Sequence, residues 1–491
     1  MLCAQSRQGC TQGFYSVVVA LSITCVLLAS CFEGNRELTE ADLSAFGTFV
    51  DSLDTSVEGK WFTRMGMSSD ADSLLAYLLR EVPANGLDVT AFGLSQIADD
   101  LDIVHRLSFD SVGVSINEVL PRLDSLLSKA YISYTTGQRY GFVRPSRLFN
   151  RMDYKANSSE FAKLFDYDIQ SPDSKQAEQE LLTDHRLAYL YESQPQDHVY
   201  LLLKSRLEKT TDKEARRRLA INMERCRWQI QRPSEVGRQI VVNIHSQQLW
   251  AICPDSVLNM RICCGAVTNK TPLLNSAISY MQVNPEWIIP HNIIKTDVAH
   301  HGGDSAYFAR NRYYITDRTT GDTISPTTVT SDELLSGRLR VGQRGGIGNS
   351  LGRIVFRFPN NFSIYLHDTN NRGAFNREHR TLSHGCVRVQ KPFELALFLV
   401  PEMDDWKVDC LRISMDIRPM TERGQRYVRD HSDDPRPFRL MTYHDISPHV
   451  PVYIIYYTVY PNPETGVVET WPDLYGYDKV ISQQMDLFLP K

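Results

Sequence analysis

The sequence predicts an α+β chain: a helical N-terminal half, residues 37 to about 230, then a mostly-β C-terminal half interrupted by one long insertion. Three observations carry this. Apolar residues recur at helical spacing before Pro233. Alternating runs rich in β-branched residues replace them afterwards. Between Pro290 and Gly352 the chain turns polar and glycine-containing, with HHGGD and RGGIGNSLG, too long for a simple connection between strands.

In the first half, Thr39-Glu40-Ala41-Asp42 reads as a capping box with Asp in place of the usual Glu. Leu43, Phe46, Phe49, Val50 and Leu53 follow at helical spacing. Leu123, Leu126, Leu127, Ala130, Tyr131 and Tyr134 form a longer stripe that should stop before Gly137. Lys213 to Trp228 reads as another helix, with Arg216-Arg217-Arg218 on a solvated face. In the second half, Arg238 to Ile252 reads as a strand and Pro254-Asp255-Ser256 as a turn; the run VLNMRICCGAV completes a hairpin. Further strands are expected at Ala277 to Pro285, Gly352 to Phe358, Phe362 to Asp368 and Val452 to Tyr460, and a short helix at Pro392 to Val400.

The 491 residues are 42% hydrophobic, enough for two or three cored domains. A net charge of -5 gives no electrostatic case for a nucleic-acid partner. Phe14 to Cys31 is an apolar run of signal-peptide length, preceded by Arg7 and no acidic residue. It ends Leu28-Ala29-Ser30-Cys31, which resembles a bacterial lipobox with Cys31 as the lipidated residue. An ordinary signal peptide or an uncleaved anchor are the alternatives. Of the remaining cysteines, Cys226, Cys253, Cys263, Cys264, Cys386 and Cys410 have neither disulfide-framework nor metal-site spacing, so no metal is expected. Cys263 and Cys264 point to opposite faces of a strand, so at most one should face the core.

The chemistry gathers around Thr381-Leu382-Ser383-His384-Gly385-Cys386-Val387-Arg388. A thiolate nucleophile needs a lowered pKa or a nearby base, and His367 and His384 are the candidates. His367 lies near a strand end, and Cys386 is read as lying just before a helix, whose N-terminus favours negative charge. Gly385 admits close approach to the backbone, and the N–H groups of Gly385 and Cys386 suit an oxyanion hole. Arg388 has the fork to hold a carboxylate. On these residues alone, packing and catalysis both remain open for Cys386.

His367, a gap and then Ser383-His384-Gly385-Cys386-Val387-Arg388 resemble the signature of the L,D-transpeptidase family, with its YkuD-type catalytic domain. VVNIHSQQLW, NPEWIIP, GNSLGRIVFRFPNNFSIYLHDT, VPVYIIYYT, RYGFVRPSRL and INMERCRW resemble its large, capped, YcbB-like branch. That branch often carries a peptidoglycan-binding module just before the segment matched by INMERCRW; here YLLLKSRLEK runs into it with no room for one. The resemblance implies a signal peptide over 1–30, a helical scaffold domain over 31–235 and a catalytic domain over 236–491, with a capping insertion at about 291–347.

It further implies a cofactor-free cysteine acyltransferase at the periplasmic face of the envelope, which the lipobox-like run would hold to the membrane by lipid on Cys31. Cys386 would attack a peptidoglycan tetrapeptide stem and form a thioester, and the amine of a second stem would resolve it to a 3-3 cross-link. His367 would serve as base and then acid, the backbone carbonyl of Asp368 would orient it, and His384 would support the site. Gly385 would belong to the catalytic set; Ser383, Arg388, Tyr365 and Trp287 would line the substrate cleft. Two other functions stay open: a carboxypeptidase or endopeptidase that hydrolyses the same thioester, and a non-catalytic wall-binding scaffold. The insertion is expected to act as a lid, hinged at the glycines 302, 303, 345, 346 and 348.

Overall fold

The structure, a computed structural model, describes residues 39–52, 60–64, 66–155, 158–228, 237–434 and 438–491. Cys31 and the lipobox-like segment lie outside them. The chain gathers into two compact units. One comprises the described residues up to Gln138 with Asp173–Gln194 and Leu487–Lys491; the other comprises the described residues of Arg139–Pro172 and Pro195–Asp486. The division therefore falls at other points than the 235/236 boundary drawn from sequence.

The first unit is built on α1 (Glu40–Ser52), α2 (Ser69–Ala84), α3 (Leu94–Arg106) and most of α4 (Ile116–Tyr140). The box at the start of α1 is reciprocal. Thr39 N–H donates to Asp42 Oδ2 at 2.8 Å and Asp42 N–H donates to Thr39 Oγ1 at 3.2 Å, so the shorter Asp performs the task of Glu. Leu123, Leu127, Ala130, Tyr131 and Tyr134 of α4 are buried, with Leu74, Leu78, Ile97 and Leu101 from α2 and α3. Each such leucine contributes roughly 1.5–3 kcal/mol by leaving water. The buried Asp100 is held by both Nε and Nη2 of Arg122, at 2.9 and 2.6 Å.

Helix α4 does not stop at Gly137, which is buried within it. A helix tolerates an interior glycine at about 1 kcal/mol. The terminator is Gly141, whose φ of +86° lies in the left-handed region. A Cβ there would also stand 2.6 Å from Trp228 Cδ1 and 2.7 Å from Glu224 Oε1. Gly141→Ala is therefore expected to destabilise the protein by about 2 kcal/mol or more, read as a lowered denaturation midpoint; Gly137→Ala, inside the helix, should cost far less.

In the second unit, α5 (Lys213–Arg227) carries the INMERCRW segment, and Leu219 to Arg227 are all buried. Its polar residues are satisfied internally. Arg225 pairs with Asp478 at 2.6 Å, and Asn222 Nδ2 donates to Thr458 Oγ1 at 2.8 Å. The Arg216–Arg218 run is half-buried rather than a solvated face. Arg216 donates to the carbonyls of Leu207 and Thr210, and Arg217 to Ser482 Oγ. Arginine stems cover apolar surface while their forks find carbonyls, which a charge count does not reveal.

The sheet of this unit contains β1 (Gln239–Asn243), β2 (Gln248–Cys253), β3 (Ser256–Gly265), β4 (Leu273–Val283), β5 (Ile354–Arg357), β6 (Leu366–His367), β7 (Thr381–Ser383), β8 (Val387–Val389) and β9 (Tyr443–Ile455). Its order is β5-β6-β8-β3-β2-β1-β9-β4, with the two-residue strand Phe165–Asp166 beyond β4 and β7 paired beside β3; β4 also pairs with β5, so the strands close on themselves. The run read as one strand from Arg238 to Ile252 is two, β1 and β2. Its turn passes through Gln247 at φ +51° and carries no glycine or proline to announce it. Cys263 and Cys264 are both fully buried, because this sheet is covered on each side. Cys263 packs with Ala374 and Phe375, and the Tyr475 hydroxyl lies against Cys264.

The insertion is a folded subdomain. Thr323–Ile324, Tyr313–Asp317, Leu339–Gln343 and Trp287–Ile288 form an antiparallel four-stranded sheet. Ile294, Val298, Phe308, Ile315, Leu334 and Val341 give it a core of its own. Two of the glycines read as hinges are fixed by packing: a Cβ on Gly302 would meet Ser331 N at 2.5 Å, and one on Gly345 would meet Asn284 O at 2.2 Å.

Candidate active site

Strands β6 and β8 run parallel, with Leu366 opposite Val387 and His367 opposite Arg388. Side chains alternate along a strand, so Leu366 and Val387 point to one face. Tyr365, His367, Cys386 and Arg388 point to the other, and all four line one cavity of about 340 Å3. Val387 N–H donates to Tyr365 O at 3.2 Å, which extends the register back to Cys386. Trp287, Pro290, Asn292 and Ile293 supply a wall from the start of the insertion, and Ser350, Leu351 and Ile364 much of the remainder.

Cys386 is half-buried beside Leu351, Val355, Tyr365 and Trp287. Burial pushes its thiol above the usual value; the Tyr365 backbone and hydroxyl and the charges of Arg357 and Arg388 oppose this without overcoming it. The Tyr365 hydroxyl is itself pushed far up, by burial first and then by negative charge on Cys386. Arg357 lies over its ring with Cζ 4.2 Å from the centroid. Burial, and then the positive charge of Arg388, pull His367 down to about 3. At neutral pH the pair is thus a thiol and a neutral imidazole, and a thiolate forms only as the imidazole takes the proton. A thiol beside a neutral imidazole has the chemistry for a nucleophile with its base.

His367 Nδ1 finds no partner of hydrogen-bonding geometry. The carbonyls of Asp368 and Leu351 both lie near enough to the ring to favour its protonated form, as the expected orienting role of the Asp368 carbonyl requires. The Asp368 carboxylate is buried and points elsewhere, accepting from Arg353 N–H at 2.8 Å and Arg372 Nη2 at 2.9 Å. Gly352, at φ +68°, makes room for it: a Cβ would lie 2.4 Å from Asp368 Cγ.

The loop before Cys386 is held from within. Ser383 Oγ donates to Cys386 O and accepts from Gly385 N–H at 3.1 Å, so the serine shapes the loop although it also touches the cavity. The Gly385 N–H is thereby occupied and is not a free oxyanion donor. Gly385 has a φ of +116°, a conformation that L side chains rarely adopt, and a Cβ there would meet no protein atom nearer than 3.8 Å. Cys386 does not precede a helix directly; the strand β8 intervenes before α6 (Pro392–Leu399). Exposed His384 reaches the insertion, with Nε2 3.4 Å from Asp297 Oδ2.

Three contributors escaped the sequence reading. Thr271 Oγ1 donates to Gly385 O at 2.8 Å, Arg357 caps Tyr365, and Asp297 meets His384. Only Arg357 had a legible signal, its place in the alternating GRIVFRF strand. His300 and His301 lie outside the cavity; His301 stacks on Tyr307, ring centroids 3.7 Å apart. Among the described residues no group of three or more His, Cys, Asp or Glu side chains is gathered for a metal ion.

Comparison with known families places residues 237–409 on a model described as the L,D-transpeptidase catalytic domain. These residues belong to the L,D-transpeptidase catalytic domain family. A second model, described as a scaffold domain, matches residues 57–207. The chain is thus a helical region with a scaffold domain followed by a β-rich L,D-transpeptidase domain, consistent with the capped branch. It is 31% identical over 277 residues to a Haemophilus influenzae protein that carries the name of an L,D-transpeptidase. The match covers 55% of this chain and 50% of that protein, so the chain spans about half the length of the curated relative.

Proposed function

We propose that this L,D-transpeptidase domain joins peptidoglycan stem peptides in 3-3 cross-links through a thioester on Cys386. The observation that carries the reading is the shared face of β6 and β8, which sets Cys386, His367, Tyr365 and Arg388 around one cavity. His367 takes the thiol proton as the sulfur attacks the carbonyl of the stem's third residue. The C–N bond to the terminal D-alanine breaks, and the same proton passes from the imidazolium to the leaving amine. The side-chain amine of a second stem then attacks the thioester, loses its proton to His367 and releases the thiol. Tyr365 and Arg357 temper the charge on sulfur. Arg388, whose Nε has no hydrogen-bond partner, holds the donor's carboxylate.

Incubating the protein with purified tetrapeptide stems and weighing the products tests this. A dimer joined through two third residues is the expected product. Tripeptide alone would mean that water resolves the thioester and that the enzyme is a carboxypeptidase.

The site of action follows as part of the same proposal: the periplasmic face, with lipid on Cys31, a reading supported by the run ending Leu28-Ala29-Ser30-Cys31. Two or more acyl chains would be needed for stable attachment. The mature N-terminal peptide should begin at acylated Cys31, and a mature protein starting elsewhere would refute the anchor.

A further inference from the structure

RYGFVRPSRL has no role in the chemistry at Cys386, yet it forms one wall of a separate cavity of about 670 Å3. Arg144, Arg147 and Arg151 line it, carried by the five-residue helix Pro145–Phe149 and its flanks. Arg147 sits on that helix, Arg144 is its N-cap and Arg151 follows its C-cap, and all three line the same cavity. Val480 and Gln484, one helical turn apart on Tyr477–Gln484, contribute lining from a second helix.

The three arginines are exposed, and no ion pair or hydrogen bond joins their guanidinium groups to any described residue. Arg186, Arg225 and Arg372, by contrast, are matched by Asp70, Asp478 and Asp368. Three unmatched cations around one concavity repel each other. A planar fork is suited to two-point contact with a carboxylate. The volume falls in the range of roughly 300–1,000 Å3 usual for small-molecule sites. Apolar Leu148 and Met152 suit short aliphatic side chains, and the Gln484 amide suits a peptide bond. A concave site of this size fits a discrete molecule better than the plane of phosphates at a bilayer surface.

We propose that this cavity is a second peptide site, which holds a carboxylate-bearing stem of the wall polymer away from Cys386. It shares no lining residue with the catalytic cavity. The identity of the peptide rests on the function proposed above; the preference for carboxylates does not.

Calorimetric titration of full-length Cys386→Ala protein with the tetrapeptide stem as free acid tests it. Two stems per chain are expected. Adding Arg144→Gln, Arg147→Gln and Arg151→Gln should weaken one of the two about tenfold or more and leave the other unchanged. The corresponding triple Lys variant, which keeps charge and loses the fork, should fall between and controls for folding. In the otherwise wild-type enzyme the triple Gln variant should still be acylated at Cys386 at the normal rate by a small β-lactam. One stem per chain with and without the arginines would overturn the proposal, as would no binding of the stem at all. Arginine-dependent binding to anionic vesicles but not to the stem would overturn it in favour of a membrane contact. If the stem never acylates wild-type Cys386 while arginine-dependent binding persists, the proposed function falls and this site stands.

Discussion

Cys386→Ala is expected to abolish covalent capture of the donor stem, with turnover falling on the order of 10⁴-fold or more, the scale seen when a catalytic nucleophile is removed. A carbapenem, which the family resemblance implies as an acylating inhibitor, should likewise leave no adduct mass. The argument rests on position. Cys386 is the cysteine among the described residues that lines the His367 cavity, whereas Cys226, Cys263, Cys264 and Cys410 are buried outside it. Cys253 is partly open, but its thiol is engaged with Ser256 on a hairpin turn. The fold should survive. The substitution removes one sulfur from a small cluster with Leu351, Val355 and Tyr365, at a cost of about 1 kcal/mol, and the Ser383 and Gly385 bonds that shape the loop are untouched. Mass spectrometry of the intact protein after incubation with donor decides the matter: an adduct that persists on the alanine variant would end the assignment of Cys386 as nucleophile.

The site was legible in sequence where its geometry is local. Period-2 alternation through FSIYLHD and CVRV already puts Tyr365 with His367 and Cys386 with Arg388, and pairing the two strands in parallel completes the face. What was not legible depends on contacts across long separations. Thr271, which fixes the Gly385 carbonyl, lies 114 residues away in sequence. Asp297 reaches His384 only because the insertion folds on its own core. Local signals also misled where two uses of one residue look alike. Gly137 read as the helix stop, but the residue with a positive φ is Gly141, four positions on. The glycines of the insertion read as hinges, yet Gly302 and Gly345 are there because backbone from elsewhere lies against them. The β1–β2 turn was missed because Ile244-His245-Ser246-Gln247 contains no turn-forming glycine or proline, and the strain falls on Gln247.

His367→Gln is expected to slow acylation by about 10²- to 10⁴-fold near neutral pH, the range that a positioned general base supplies. The pH profile should distinguish loss of a base from loss of packing. In the wild type the reactive pair is thiol plus neutral imidazole. Burial and Arg388 hold the imidazole near 3, while burial holds the thiol above its ordinary value. That pair persists across the whole interval, so kcat/KM for acylation should be flat from mildly acidic to mildly alkaline pH, with no limb near 6.5 where an ordinary histidine titrates. In the glutamine variant only preformed thiolate reacts. Its rate should climb with pH toward the thiol pKa, and the defect should narrow steadily as it does. Stability carries the same signature. The folded pKa lies below the unfolded one, so between about 3 and 6.5 the unfolded chain binds the extra proton. The contribution of the neutral ring is complete above 6.5 and is lost as pH falls through that window. Relative to His367→Gln, which has no such group to titrate, the wild type should lose up to about 1.4 kcal/mol per pH unit there. A wild-type acylation profile with an acidic limb near 6.5 would mean that His367 is not the buried neutral base described, and the proton would have to leave Cys386 by another route.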